Sequence, residues 1–208
     1  MPTKTLRAGS TAKRAAILTA ARALFLGAGF DRTSVDAIAA QAQVSKRTVY
    51  DYFGDKHTLG RAVIEATAES LFATVRRTLD ETSSEVSTAG ELEDALITFS
   101  LRITTDMLDS EEYSALQRLV RSESADELRT GNPLADVPEE ILGEYFAALA
   151  RKGLLEITDA RLAADHFLAL TFGVALSRLG SANAADDARV EPLIAAGVRT
   201  FLRAYRAE

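Results

Sequence analysis

Ser45-Lys46-Arg47-Thr48-Val49-Tyr50 sets two cations and three hydroxyls in less than two helical turns. On a wheel of about 100° per residue, Val49, Tyr52 and Phe53 gather on one side and can pack inward. Lys46, Arg47, Tyr50 and Asp51 face the other way, with Thr48 on a flank. Arg and Lys donate to O6 and N7 of guanine in the major groove, and a Thr methyl touches thymine. The pattern therefore suits reading of double-stranded DNA from the N-terminal end of a short helix. Any one of these cations alone would read as ordinary solvated surface.

Chemistry of the bond-breaking kind has thin support. His57 and His166 are the only histidines, and neither sits in an H-x-x-x-H or H-E-x-x-H spacing. There is no G-x-S-x-G, no G-x-x-x-x-G-K and no dinucleotide fingerprint. Asp165-His166 with a distant serine would make a hydrolytic set only if adjacent helical residues faced the same way, which they do not. The chain has no cysteine, which removes disulfides, thiolate metal sites and cysteine nucleophiles together. No metal, cofactor or catalytic residue is expected, and an enzyme stays a remote third reading.

The elements that position the basic run are helical. Apolar residues at Ile17, Ala21, Leu24, Phe25 and Ala28 make a stripe over 11–28, capped by Ser10 or Thr11 and stopped by Gly29. A second short helix starts at Ser34, with Val35, Ile38, Ala39 and Ala42 on one face. After a turn at Gln43-Val44, Ser45 caps a third helix to about Phe53, and Asp55 caps a long fourth one running through Val75. Two short helices joined by a tight turn, with small Ala39 at the crossing, suit a helix-turn-helix.

Further stripes are expected at 91–108, 111–128, 138–152, 159–179 and 187–206, with breaks at 81–90, 129–138 and 180–183. No strand alternation persists and no internal repeat is seen, so the fold class is all-α. A 47% apolar, 26% charged chain of 208 residues with four prolines has the profile of a soluble globular protein. No apolar run approaches the roughly 20 residues of a membrane span, and the first ten residues lack the apolar core of a signal peptide. A cytoplasmic protein is expected. The net charge of −6 divides unevenly: residues 1–60 hold nine Lys/Arg against four Asp, a net +5, which leaves −11 for the rest. A basic end that meets phosphates and an acidic body that avoids them would account for this.

Across about 11–65 the sequence resembles the tetracycline-repressor (TetR) family of regulators. The resemblance rests on Arg14-x-x-Ile17-Leu18, Ala20-Ala21, Leu24-Phe25, Gly29-Phe30, Thr33-Ser34-Val35 and Ile38-Ala39. It continues through Val44-Ser45, Thr48-Val49-Tyr50, Tyr52-Phe53 and Lys56-x-x-Leu59. The first residues (1–10), with Lys4 and Arg7, read as a flexible basic arm. The resemblance implies a three-helix DNA-binding domain (11–60) and an all-helical effector-binding and dimerisation domain (61–208). It also implies roles at matching positions. Ser45, Lys46, Arg47 and Thr48 would line the groove, Tyr50, Tyr52 and Lys56 would hold phosphates, and Thr33 or Ser34 would clamp the backbone. Two positions depart from the family pattern. Gln43 stands where glycine is usual, which would cost on the order of 1 kcal/mol if φ is positive. Asp51 is an acid on a face meant for DNA.

In the second domain the apolar wall expected for an effector comprises Phe99, Ile103, Met107, Leu116 and Val120, joined by Tyr145, Phe146 and Phe167. Arg102 and His166 are the polar anchors considered there. A dimer seam is expected from Phe167, Leu170 and Val174 with Val198, Phe201, Leu202 and Tyr205, although each of these also suits an intrachain core. The function expected is a homodimeric repressor released from a palindromic operator by a small lipophilic or aromatic effector. A DNA-binding regulator without a small-molecule effector is the alternative.

Overall fold

Several helix starts in this chain carry their own side-chain acceptors. In the computed structural model, which describes residues 8–83, 86–108, 110–121, 133–179 and 187–207, Ser34 Oγ accepts from the Ala37 N–H and Ser45 Oγ from the Thr48 N–H. Asp55 Oδ1 accepts from the Thr58 N–H at 2.6 Å, which holds its carboxyl below the ordinary value. Thr88 and Glu91 close a reciprocal capping box, and Asp159 takes the N–H groups of Arg161 and Leu162. Each such cap satisfies a donor the helix cannot and stabilises it by about 1 kcal/mol.

The helices are α1 (Ala8–Ala28), α2 (Val35–Gln41), α3 (Lys46–Phe53), α4 (Lys56–Ser83) and α5 (Ala89–Ile103). They continue with α6 (Glu111–Arg121), α7 (Pro133–Arg151), α8 (Ala160–Leu168), α9 (Val174–Leu179) and α10 (Val190–Tyr205). No strand occurs among the described residues; an isolated bridge joins Leu155 to Arg206. The all-α reading holds. Lys4, Arg7, residues 122–132 and the 180–183 break lie outside the described residues.

Several boundaries differ from the periodicity. α1 already starts at Ala8, which puts the expected caps Ser10 and Thr11 and the last residues of the expected arm inside the helix, and α4 runs on to Ser83, into the expected 81–90 break. Helix 159–179 is interrupted by a π turn at Ala169–Gly173, and α5 runs into another at Thr104–Leu108. The third helix of the second half starts at Pro133 and takes Pro138 inside it. Proline suits a first helical position, so Pro133 explains the earlier start better than Pro138 does.

The chain divides into two compact units: Met1–Glu69 with Ala115–Gly131, and Ser70–Ser114 with Asn132–Glu208. In the first, α1 packs on α2 and α2 on α3, around Ile17, Phe25, Ile38, Val49 and Leu59, all buried. Leu116 and Val120 of α6 are buried in this unit as well. In the second, α7 packs on α8, and α10 packs on α5 and on the 169–173 turn. Its centre is aromatic. The Phe146 ring lies 5.4 Å from Phe167 and 4.9 Å from Phe201, and Phe167 meets Phe201 edge-on at 5.3 Å. Burying each such ring stabilises by about 1.5–3 kcal/mol, with a further contribution from the edge-on geometry.

Gly197 permits the closest of these approaches. A Cβ built there would stand 2.2 Å from the Leu170 carbonyl oxygen. Only hydrogen fits. The two π turns are each braced by a buried threonine, Thr104 Oγ1 donating to the Ser100 carbonyl at 2.8 Å and Thr171 Oγ1 to the Phe167 carbonyl at 2.7 Å.

Candidate nucleic-acid interface and effector cavity

The turn before α3 decides how that helix stands. The Val44 N–H donates to the Ala39 carbonyl at 3.0 Å and the Gln43 N–H to the Ala40 carbonyl at 3.2 Å. That paired bonding closes a helix end through a left-handed residue. Gln43 supplies it with φ of +55°, the one positive φ outside glycine among the described residues. The glycine-like geometry is kept without glycine.

From that turn α3 buries Val49 and Phe53 and leaves its other face outward. Arg47 is 90% exposed, with Asp51 one turn on at 4.0 Å. Tyr50 is 42% exposed. Lys46 is different, because its Nζ is held 2.9 Å from the Asp36 carboxylate of α2. The hydrogen bond and charge of Asp36 raise the Lys46 ammonium above its ordinary value, so it stays charged. Ser45 Oγ and Thr48 Oγ1 lie 2.8 Å apart, so either hydroxyl can donate to the other. The outward tip thus presents an open guanidinium, a phenol and a paired ammonium, a set suited to bases and phosphates.

The residues read as phosphate clamps are placed variously. Ser34 is exposed and spends an acceptor site on its cap, which leaves its proton to donate. Thr33 is 4% exposed, and its hydroxyl donates to the carbonyls of Gly29 and Leu24. Tyr52 is half-buried and its hydroxyl donates to Ser10 Oγ at 3.0 Å, tying α3 to α1. Lys56 rests its ammonium 4.3 Å over the Phe30 ring. Asp36, Ser10 and Phe30 are the partners that pattern reading missed. Their spacing of ten or more residues from the groups they hold leaves no local signal.

The second unit contains a cavity of about 130 Å³. Phe72 and Val75 of α4 and Phe99 and Ile103 of α5 form one part of its wall. Met107 and Leu108 of the first π turn, Tyr113, Pro138 and Leu142 form another, and Leu168 and Phe172 complete it. Among the described residues, no charged side chain lines it.

Of the residues proposed for this wall, Phe99, Ile103 and Met107 are on it. Phe146 and Phe167 are fully buried in the aromatic centre, and Leu116 and Val120 belong to the first unit. Tyr145 is half-buried, and burial pushes its phenol up. Arg102 points to an exposed groove with Glu81 and Asp94, where it pairs with Glu81 at 2.7 Å. His166 is exposed and its Nδ1 meets the Tyr205 hydroxyl at 2.6 Å. Among the residues proposed for a dimer seam, Phe167, Val198, Phe201 and Leu202 are buried within the protomer. Leu170 and Tyr205 are half-buried, and Val174 keeps 36% exposure. Among the described residues no group of three or more His, Asp or Glu is gathered to hold a metal, and no helix is long and apolar enough to cross a membrane.

Residues 17–63 match the family model for bacterial regulatory proteins of the tetR family. Residues 94–207, more than half of the chain, match the C-terminal domain of AefR-like transcriptional repressors. The HTH-type transcriptional regulator YdeS of Bacillus subtilis (strain 168) is 33% identical over 143 residues, 68% of this chain. The match spans 62% of YdeS, less than two thirds of that relative's length. A TetR-family transcriptional regulator from Mesorhizobium loti MAFF303099 superposes with a TM-score of 0.79 at 26% identity, over 97% of this chain and all of that one. The flavonoid-responsive regulator FrrA superposes with a TM-score of 0.68 at 30% identity, over 93% of this chain and 97% of its own.

Proposed function

Since the chain belongs to the TetR family of bacterial transcriptional regulators, we propose that it is a repressor released from a palindromic operator by a small lipophilic or aromatic effector. The observation that carries this reading is the uncharged cavity of the second unit, whose wall includes Phe72 and Val75. Both residues lie on α4, the helix that begins at Lys56 directly after the recognition helix. An effector pressing on that wall would bias the helix on which the DNA-binding unit is mounted. The flavonoid-responsive name of a 30% identical neighbour supports an aromatic ligand here.

In this reading the protein acts in the cytoplasm as a homodimer. Its two copies of α3 enter successive major grooves, about 34 Å apart. Arg47, with Lys46 and Thr48 beside it, reads bases; Ser34, Tyr50 and Lys56 hold phosphates. Leu170, Val174 and Tyr205 are the proposed seam residues that the protomer leaves at least partly uncovered. A ligand that prefers the wrong spacing of recognition helices needs a coupling of about 1–3 kcal/mol to weaken operator binding severalfold to a hundredfold.

The experiment is an electrophoretic shift of the full-length protein on DNA selected from a random library, against excess competitor at fixed salt. A competitor-resistant complex dissolved by an aromatic compound supports the reading. A resistant complex that no cavity-binding compound dissolves would support the effector-independent regulator instead.

A further inference from the structure

The size and chemistry of the cavity restrict what enters it more narrowly than the word lipophilic does. Apolar cavities of about 150 Å³ stay dry and accept a single benzene ring; this one holds about 130 Å³. Its wall offers the rings of Phe72, Phe99 and Phe172 and the thioether of Met107, all suited to edge and face contacts with an aromatic guest. Among the described residues, no charged side chain on the wall meets a carboxylate or an ammonium. Arg102, the residue before Ile103, is held by Glu81 at 2.7 Å and Asp106 at 3.9 Å in the exposed groove. A charged ligand would give up its hydration and gain no opposite charge from the described residues of the wall.

The wall is also braced. Phe172 lies on the π turn that Gly197 contacts and that Thr171 ties to the Phe167 carbonyl. Met107 lies on the turn that Thr104 ties to Ser100. Packed walls of this kind do not dilate freely. We propose that the ligand of this cavity is a neutral molecule built on one six-membered ring with short substituents. This names the class of effector and rests on the reading that the cavity is the effector site.

The test is calorimetric titration of the full-length protein with four probes: toluene, cyclohexane, naphthalene and benzoate. Toluene is expected to bind, at least about tenfold more tightly than naphthalene, because one misfitting group in an apolar pocket has an effect of that order. Cyclohexane should follow toluene, and benzoate should give no heat. Val75→Phe, which fills the space, should lose toluene, and Ile103→Ala, which enlarges it, should bring naphthalene up to or past toluene. The wild-type series decides even where a variant does not fold. Naphthalene binding more tightly than toluene, benzoate binding as well as toluene, or no probe binding at all would each overturn the inference. If toluene binds with the expected selectivity but saturating toluene leaves the DNA complex intact, the inference stands and release by ligand fails.

Discussion

Replacing Gly197 by alanine sets two effects of known size against each other. Alanine in a helix interior is favoured over glycine by about 1 kcal/mol. Against that, the new Cβ would lie 2.2 Å from the Leu170 oxygen, 2.7 Å from its carbonyl carbon and 3.2 Å from the Thr171 Cα, where ordinary contact begins at 3.4 Å. The obstacle is backbone and cannot rotate away, so α10 and the 169–173 turn must part by about 1.2 Å, the difference between 3.4 and 2.2 Å. Overpacking of this kind costs about 1–3 kcal/mol and occasionally more, and a shift that large belongs at the upper end. The net expectation is a loss of about 2 kcal/mol, or a Tm lower by roughly 4–8 °C in a chain of this size. Differential scanning calorimetry measures it. Gly27→Ala is the control, because its Cβ meets nothing within 4 Å; as the second-last residue of α1 it gains less than an interior position, and Tm should rise by at most roughly 2 °C. A Gly197→Ala chain that melts level with or above wild type while Gly27→Ala behaves as expected would refute the argument from close approach.

Arg47→Ala should change base preference, with discrimination falling by about 1–3 kcal/mol at one position when binding is measured across a sequence library. An equal loss on every sequence would make it a backbone contact. Lys56→Ala should weaken DNA binding nearly uniformly and reduce the magnitude of the salt slope by about 1, read from titrations at several salt concentrations. An unchanged slope would mean that the ammonium stays on the Phe30 ring in the complex. Gln43→Gly relieves a left-handed residue, a gain of about 1 kcal/mol, and loosens the unfolded chain, a loss of about 0.5 kcal/mol. Urea unfolding should therefore show a small net stabilisation, and a clear destabilisation would contradict the strain assigned to Gln43.

What the residue pattern could reveal was local. Ser34, Ser45 and Asp55 each cap a helix within three residues of their own position, so their role lies within a short window of sequence. The inward face of α3 is legible for the same reason, since Val49 and Phe53 are one turn apart. The π turn at Ala169–Gly173 is not local in this sense. Its residues are ordinary helix formers, and its shape accompanies a glycine 24 or more residues away on α10. The cavity wall escapes for a related reason: an apolar stripe states that a face is covered, not whether a side chain or a void covers it. Phe99 and Phe167 belong to similar stripes, yet one borders the cavity and the other lies in the aromatic centre. Leu116 and Val120 continue the same kind of stripe and are buried in the other unit.

Lys46 and Arg47 show how one long-range partner divides two residues that look alike. Both are cations on the outward side of α3, and sequence alone gives no ground for ranking them. Asp36 supplies the ranking. It lies ten residues before Lys46 and across the turn that Gln43 closes, and it holds that ammonium at 2.9 Å while Arg47 remains 90% exposed. An exposed pair of this kind contributes at most about 1 kcal/mol, so it biases Lys46 without locking it. A phosphate that draws Lys46 away must overcome that bias and leaves a carboxylate uncompensated near the duplex. Arg47 faces a looser partner, Asp51 at 4.0 Å, and its planar fork can bond a guanine edge with two donors. If the proposed function holds, base readout should depend more on Arg47 than on Lys46, whose pairing with Asp36 also joins α2 to α3.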